Sequence, residues 1–233
     1  EEAGIPLTKT LEAQTETSAA QYQFKHLSFQ EGLFAQYLLI MSAEGWTGWA
    51  SDELASKFLN DPFMNNTCRI AAGHLGSLLA KRRPTWDFSA KNCQLQSVGL
   101  YALWLLMERN TTLQRLVLRG NKVGQQYEDA AGLARMFSTS TALTALDLSN
   151  NVLGSLRQTP AGMRQLARGL STNKSLTDIN LASNLLWPEG LKAVCSALRS
   201  CTALRTLDLS DNHPGREPAL SELVREHTTL QSL

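Results

Sequence analysis

The chain has 233 residues, 43% of them hydrophobic, and its 22 lysines and arginines nearly balance 21 aspartates and glutamates. That length allows one or two domains with a sizeable core, and a net charge of +1 gives no general nucleic-acid footprint. No apolar run approaches the roughly 20 residues of a membrane span, and Glu1-Glu2-Ala3-Gly4 does not open a secretory signal.

In chain order, residues 1–20 are polar and rich in threonine, with no helix start signal. The stretch 21–27 alternates apolar and polar residues and predicts a short strand. Ser28-Phe29-Gln30-Glu31 has the form of a capping box, with Ser28 as N-cap and Glu31 reaching back. It opens an apolar helix carrying Phe29, Leu33, Phe34, Tyr37, Leu38 and Met41, which the glycines at 45 and 48 break. Trp46 and Trp49, around that turn, read as packing between helices. Ser51-Asp52-Glu53 opens a second helix with two carboxylates in its favourable first turn, and Asn60-Asp61-Pro62 ends it. A third helix is predicted over 67–81, with Ile70, Leu75, Leu78 and Leu79 apolar. Lys81-Arg82-Arg83 suits its C-terminus, and Pro84 stops it. Residues 28–84 therefore form a helical module.

From about Thr85 the chain repeats itself. Leu113, Leu116, Leu118 and Asn121 read L-x-x-L-x-L-x-x-N. The pattern returns at Leu143, Leu146, Leu148 and Asn151, at Leu176, Ile179, Leu181 and Asn184, and at Leu204, Leu207, Leu209 and Asn212. A weaker copy places Phe88, Ala90 and Cys93 in the last three positions, and another starts at Leu230 and Leu233. Leu-x-Leu alternation sends the leucines to one face of a short strand and the intervening residues to the other. The Asn follows where the chain leaves the strand, and its amide can satisfy backbone groups that the turn buries.

The spacing from Cys93 through Asn121, Asn151, Asn184 to Asn212 is 28, 30, 33 and 28 residues. That leaves room for a helix in each unit, predicted at 99–108, 129–137, 162–170 and 190–199. The excess length falls in loops, about two residues near Gln125 and about five near 155–159. Trp187-Pro188 reads as a structural start to the last of these helices. The pattern resembles the leucine-rich-repeat signature of the ribonuclease-inhibitor type, which implies an α/β solenoid preceded by a small helical module.

Chemistry of other kinds is not signalled. Cys68, Cys93, Cys195 and Cys201 form no C-x-x-C pair and no disulfide framework, and read as reduced thiols of a cytoplasmic protein. In that compartment the sequons at Asn65, Asn110 and Asn173 carry no meaning. His74, His213 and His227 have no ligand partners at metal spacing, and no G-x-S-x-G occurs. The chain reads as non-enzymatic. Binding is expected on the concave strand face, whose outward residues are Arg115, Val117 and Arg119, then Thr144 or Ala145, Asp147 and Ser149, then Asp178, Asn180 and Ala182, then Thr206, Asp208 and Ser210. One column is Val117, Asp147, Asn180, Asp208. The face is basic at its first full repeat and acidic beyond it, which favours a partner of mixed charge over a polyanion.

The segment Tyr22-Gln23-Phe24-Lys25-His26-Leu27-Ser28-Phe29-Gln30-Glu31 resembles the F-x-H-x-S/T-F-Q-E segment of NACHT–leucine-rich-repeat proteins, the NOD-like receptors. Asn66-Thr67-Cys68-Arg69-Ile70 with Leu75-Gly76 and Leu79-Ala80 is similar to the helical domain that follows it there. Gly32 departs from the family, which has a bulky residue at that position. The resemblance implies that 1–27 end a winged-helix-like domain, 28–84 form a helical domain and 85–233 are the repeats. It also implies that His26 contacts the phosphate of ADP in an intact parent, where ADP or ATP and Mg are expected. No G-x-x-x-x-G-K-[ST] occurs, so no cofactor is expected in this fragment.

The expected function is a sensing or protein-interaction fragment of a cytosolic receptor or regulator in innate-immune signalling, cut at both ends. Its partner would be a protein ligand or the parent's own NACHT domain, not nucleic acid or membrane, and the fragment would be monomeric. The alternative is a leucine-rich-repeat scaffold of the GTPase-activating or enzyme-inhibitor type with a helical N-terminal cap.

Overall fold

The computed structural model describes residues 8–12, 21–24, 27–41, 46–158, 162–213 and 218–232. Strands β1 (Thr8–Glu12) and β2 (Gln21–Phe24) pair antiparallel. β2 coincides with the predicted strand. β1 was not predicted within the polar first 20 residues: its threonines are β-branched, and pairing with β2 supplies what its polar composition does not signal.

Helix α1 (Leu27–Met41) begins one residue before Ser28, so Ser28 lies in the first turn and not at the cap. A 3-10 turn (Thr47–Trp49) leads to α2 (Asp52–Asn60), where the Ser51 hydroxyl accepts the N–H of Leu54 at 3.2 Å. Helix α3 (Met64–Arg82) starts earlier than expected and kinks at Ala72, whose φ of 41° and ψ of −139° are not helical. Ile70 is 51% exposed, so its apolar side chain does not join the core. On the far side of the kink α3 lies against the C-terminal carbonyls of α4 (Ser97–Met107). A Cβ on Gly73 would stand 1.6 Å from the Glu108 carbonyl oxygen, so only glycine permits this approach.

Five parallel strands follow in sequential order: β3 (Thr85–Asp87), β4 (Arg115–Val117), β5 (Ala145–Asp147), β6 (Asp178–Asn180) and β7 (Thr206–Asp208). Between and after them run α4, α5 (Tyr127–Thr139), α6 (Gly162–Thr172), α7 (Pro188–Leu198) and α8 (Ala219–Glu226), each packed on the next. Trp86, Leu116, Leu146, Ile179 and Leu207 stand in one register row on the helix side of the sheet, all at most 3% exposed. Ser232 begins a further rung against Thr206. The long period before Asn184 is taken up by a 3-10 segment (Leu153–Gln158).

The helical elements and the strands share one core. Trp49 meets Phe58 at 5.6 Å and Trp86 at 5.1 Å, both edge-on, so aromatic contacts run from α2 into the first strand. That strand corrects the expected register of the weak first copy. Trp86 and Phe88 are fully buried, while Ala90 is exposed. Cys93 does occupy the Asn slot, but two more residues separate it from its strand than in the later repeats. The strand is held earlier in the chain by Asp52. Its Oδ1 accepts the Asp87 N–H at 3.0 Å and pairs with Arg83 at 2.6 Å.

The slot asparagines are almost fully buried and form a ladder between repeats. Each follows a residue in the left-handed region: Gly120, Asn150, Ser183 or Asp211. The Asn151 amide donates to Leu118 and Leu148 carbonyls at 2.8 Å, and its oxygen accepts the Val123 N–H at 2.9 Å. Asn121, Asn184 and Asn212 repeat the arrangement one unit earlier or later. A second slot, eleven residues upstream, holds Asn110, Ser140, Asn173 and Cys201. The Asn173 amide reaches the Phe137 carbonyl at 2.8 Å, and the Cys201 thiol the Leu170 carbonyl at 3.2 Å. Asn110 and Asn173, which begin two of the sequons, are thus inside the fold.

Candidate protein-binding face

The strand face turned away from the helices is built from two register rows. One runs Asp87, Val117, Asp147, Asn180, Asp208, and the other Thr85, Arg115, Ala145, Asp178, Thr206. Neighbouring positions along a row are about 4.8 Å apart, the spacing of paired strands. The acidic and amide residues of the first row serve the turn as well as the surface. One side-chain oxygen each of Asp87, Asp147, Asn180 and Asp208 accepts the N–H two residues on, at 2.8–3.0 Å. These side chains are therefore fixed in direction, half-buried, with a second oxygen or an amide nitrogen left for the surface.

Val117 stands in the same row but is only 6% exposed, which corrects its reading as an outward binding residue. It has no polar atom to hold it toward solvent and packs between its neighbours. Arg115, Arg119 and Asp178 are exposed. Among the described residues no ion pair engages either arginine or any of the row's carboxylates. Arg115, Ala145, Asp147, Asp178, Asn180 and Asp208 surround a hollow of about 240 Å³. The short Ala145 side chain, between Arg115 and Asp178 in its row, opens it. Arg119 lies beyond the strand and does not line it.

Asp87 was not among the residues expected on this face, because the first copy was read two residues out of register. The signal was present: Trp86-Asp87-Phe88-Ser89 has the cadence of Leu146-Asp147-Leu148-Ser149 and Leu207-Asp208-Leu209-Ser210. His26 lies outside the described residues. His213 rests against the Trp187 ring at 5.1 Å, and Trp187 and Pro188 occupy the N-cap and first turn of α7. The buried carboxylate of Asp129 has its pKa raised by burial, partly offset by hydrogen bonds from the Trp104 indole and the Gly124 and Gln126 N–H groups. It holds the start of α5. Among the described residues no group of three or more His, Cys, Asp or Glu could hold a metal ion, and no helix is long and apolar enough to cross a membrane.

Parallel strands in sequential order, a helix behind each, a buried asparagine ladder and a polar strand face define a leucine-rich-repeat solenoid. The family description "Leucine Rich repeat" matches residues 109–125. The chain is similar to the Tonsoku-like protein of Bos taurus, 37% identical over 125 residues, covering 52% of this chain and 9% of that protein. It is 30% identical over 120 residues to the ribonuclease inhibitor of Sus scrofa, covering 51% of this chain and 25% of that protein. With "NACHT, LRR and PYD domains-containing protein 5" of Bos taurus it shares 29% identity over 182 residues, covering 67% of this chain and 15% of that protein. The chain therefore spans between 9% and 25% of the length of these relatives. Their likeness supports ribonuclease-inhibitor-like repeats and does not by itself select the NACHT kind.

Proposed function

We propose that the repeats bind a protein partner of mixed charge on the strand face, within a larger cytoplasmic receptor or regulator of the NACHT–leucine-rich-repeat kind. The observation that carries the binding site is the hollow where Arg115 faces Asp147, Asp178 and Asp208, none of them ion-paired among the described residues. The Asp147 and Asp208 carboxylates, held in place by turn hydrogen bonds, lose little freedom when a partner pairs with them, so complementary charges there favour specificity and association rate. The NACHT reading is supported by the 21–31 segment and by the similarity to a NACHT-named protein over 67% of the chain. In that reading His26 contributes to ADP retention in the intact parent, with Mg and ATP bound by parts outside this chain. The role of the repeats is binding and regulation, without catalysis of their own. The similarity to ribonuclease inhibitor, at 30% identity over 51% of this chain, favours a second reading, a scaffold that blocks or recruits an enzyme.

The binding face is tested by selecting peptides from a displayed library on the whole chain. Selected peptides should combine basic and acidic residues. Asp147→Lys with Asp208→Lys should weaken them about tenfold or more, whereas Lys192→Ala on α7 should change nothing. Selected peptides indifferent to the aspartate changes would place binding elsewhere. The NACHT reading is tested separately in the intact parent: His26→Ala should raise basal activity and loosen ADP, and unchanged ADP retention removes it.

A further inference from the structure

Where α3 bends across the end of α4 the chain leaves a cavity of about 560 Å³. The second half of α3 supplies one wall: His74, Ser77 and Lys81 are spaced to share a face of the helix. The turn after α4 supplies the other wall through Glu108, Arg109 and Thr111. None of these residues lines the strand-face hollow. Both walls rest on backbone that a residue with a side chain seldom adopts. Ala72 lines the cavity at φ 41° and ψ −139°, and Arg109 has a φ of 59°. The Ala72 conformation is close to one that only glycine adopts freely. Strain of that kind persists where the surroundings hold it, and it clusters at ligand clamps. Arg109 is pinned by its N–H, which donates to the Thr139 hydroxyl at 3.1 Å.

Of the polar side chains around the cavity, all but Glu108 are donors. Lys81 and Arg109 offer several N–H groups each, and His74 has a donor N–H in either charge state. Ser77 Oγ accepts the Thr111 N–H at 3.2 Å, which leaves its own proton to give. The Thr111 side chain is exposed. Among the described residues no ion pair engages Lys81, Arg109 or Glu108. The positive charges of the lining, Lys81 and Arg109, therefore outweigh its negative one. The carbonyls that end α4 do not restore the balance, because they are already paired. Leu105 accepts the Glu108 N–H at 3.3 Å, Leu106 the Asn110 amide at 3.5 Å and Met107 the Asn110 N–H at 3.1 Å.

We propose that this cavity binds a phosphate group, carried by a phosphorylated side chain or by a free phosphate. Lys81 and Arg109 supply the charge, and the Arg109 guanidinium engages two oxygens at once. Ser77, Thr111 and His74 donate to the remaining oxygens. A phosphate suits donors on two facing walls better than a carboxylate does, because it carries more charge and more acceptor oxygens. Glu108 works against the anion and limits its affinity.

The test titrates the whole chain with inorganic phosphate at constant ionic strength and follows the backbone amides by NMR. Amides of residues 73–77 and 109–111 should shift and saturate, while sodium chloride at the same ionic strength should leave them in place. Lys81→Gln with Arg109→Asn should weaken binding about tenfold or more; asparagine is chosen because it tolerates the left-handed backbone. Glu108→Gln should tighten binding about threefold, because it removes a repulsion. A short Gly-Ser peptide with one phosphoserine, and the same peptide without phosphate, separate the sources. Tighter binding of the phosphopeptide than of inorganic phosphate assigns the group to a phosphoprotein, the reverse assigns it to a free phosphate, and either supports the site. Shifts that fail to saturate, or that chloride reproduces, overturn the proposal. So do a double variant that binds like wild type and a peptide that binds equally well without its phosphate. Weaker binding by Glu108→Gln also overturns it, since the carboxylate would then be part of the site. Asp147→Lys should leave the phosphate affinity unchanged, which separates this cavity from the strand face.

Discussion

Replacing Asn184 by alanine tests the ladder where it is best defined. The Asn184 amide donates to the carbonyls of Leu148, Leu181 and Ala182 at 2.8, 3.0 and 3.2 Å, and its oxygen accepts the Leu153 N–H at 3.4 Å. The three carbonyls do not become orphans in the mutant. Leu148 keeps Asn151, Leu181 keeps Asn212, and Ala182 keeps the N–H of Asn150. Only Leu153 N–H loses its acceptor. The loss is therefore two good bonds at about 1 kcal/mol each, plus about 1 kcal/mol for the orphaned donor, whose bond was long. The expected total is about 2–4 kcal/mol, read as a shift of the urea midpoint at unchanged slope. Asn184→Asp keeps the acceptor, loses both amide donations and buries a charge. Burial raises the folded-state carboxyl pKa above its unfolded value. Its stability is then fullest below about pH 4 and falls as pH rises through the folded pKa. At pH 7 the aspartate variant should be less stable than the alanine variant. A cost under about 1 kcal/mol for Asn184→Ala, or an aspartate variant as stable as wild type at neutral pH, would refute the shared-carbonyl account.

Ser140 sits in the second slot with its hydroxyl unpaired, where Asn173 makes an inter-repeat bond and accepts the Ser175 and Leu176 N–H groups; Ser140→Asn should gain about 1–2 kcal/mol in urea unfolding, and a loss would show that the slot lacks the room. Leu146→Ala should cost about 2–5 kcal/mol, whereas Asp147→Ala, which gives up one turn hydrogen bond at 2.8 Å, should cost about 1 kcal/mol; equal costs would contradict the strand register. Burial pushes the Cys68 thiol up to about 12 and the Cys201 thiol up to about 11, so neither should react with an aromatic disulfide reagent at pH 8 before the chain unfolds. Because both folded values lie above the ordinary 9.0, their stability contribution is complete below that pH and declines as pH rises toward 11, which alkaline melting curves check.

The repeat strands were legible because leucines at alternate positions leave one answer for which face is buried. The expected helices were each found within a few residues, since apolar spacing and glycine or proline boundaries agree there. The first strand was misread because Trp86 takes a leucine position and two extra residues precede Cys93. A slip of two preserves side-chain alternation, so Phe88 still fell inside while Trp86 and Asp87 were missed. β1 was missed because its pairing partner lies beyond the local window. Val117 lies in the expected column but is covered, because alternation tells which face a residue occupies, not whether its neighbours on that face cover it. The second slot was hidden for a different reason. Its residues, Asn110, Ser140, Asn173 and Cys201, are of three side-chain types, and the partners of Asn173 and Cys201 lie in the preceding repeat.

The ladder also has a direction. Each slot asparagine accepts an N–H from the loop of the unit before it: Leu95 for Asn121, Val123 for Asn151, Leu153 for Asn184, Leu186 for Asn212. A unit's loop N–H is thus accepted by the asparagine of its successor, while that asparagine's amide also serves carbonyls of its own turn. A duplication that copies the chain from one slot to the next hands every loop a new acceptor in the right place. One whose length is not a whole period leaves a loop N–H facing nothing. Arrays of this construction lengthen or shorten in heredity by whole periods, a constraint the amide ladder sets alongside the core.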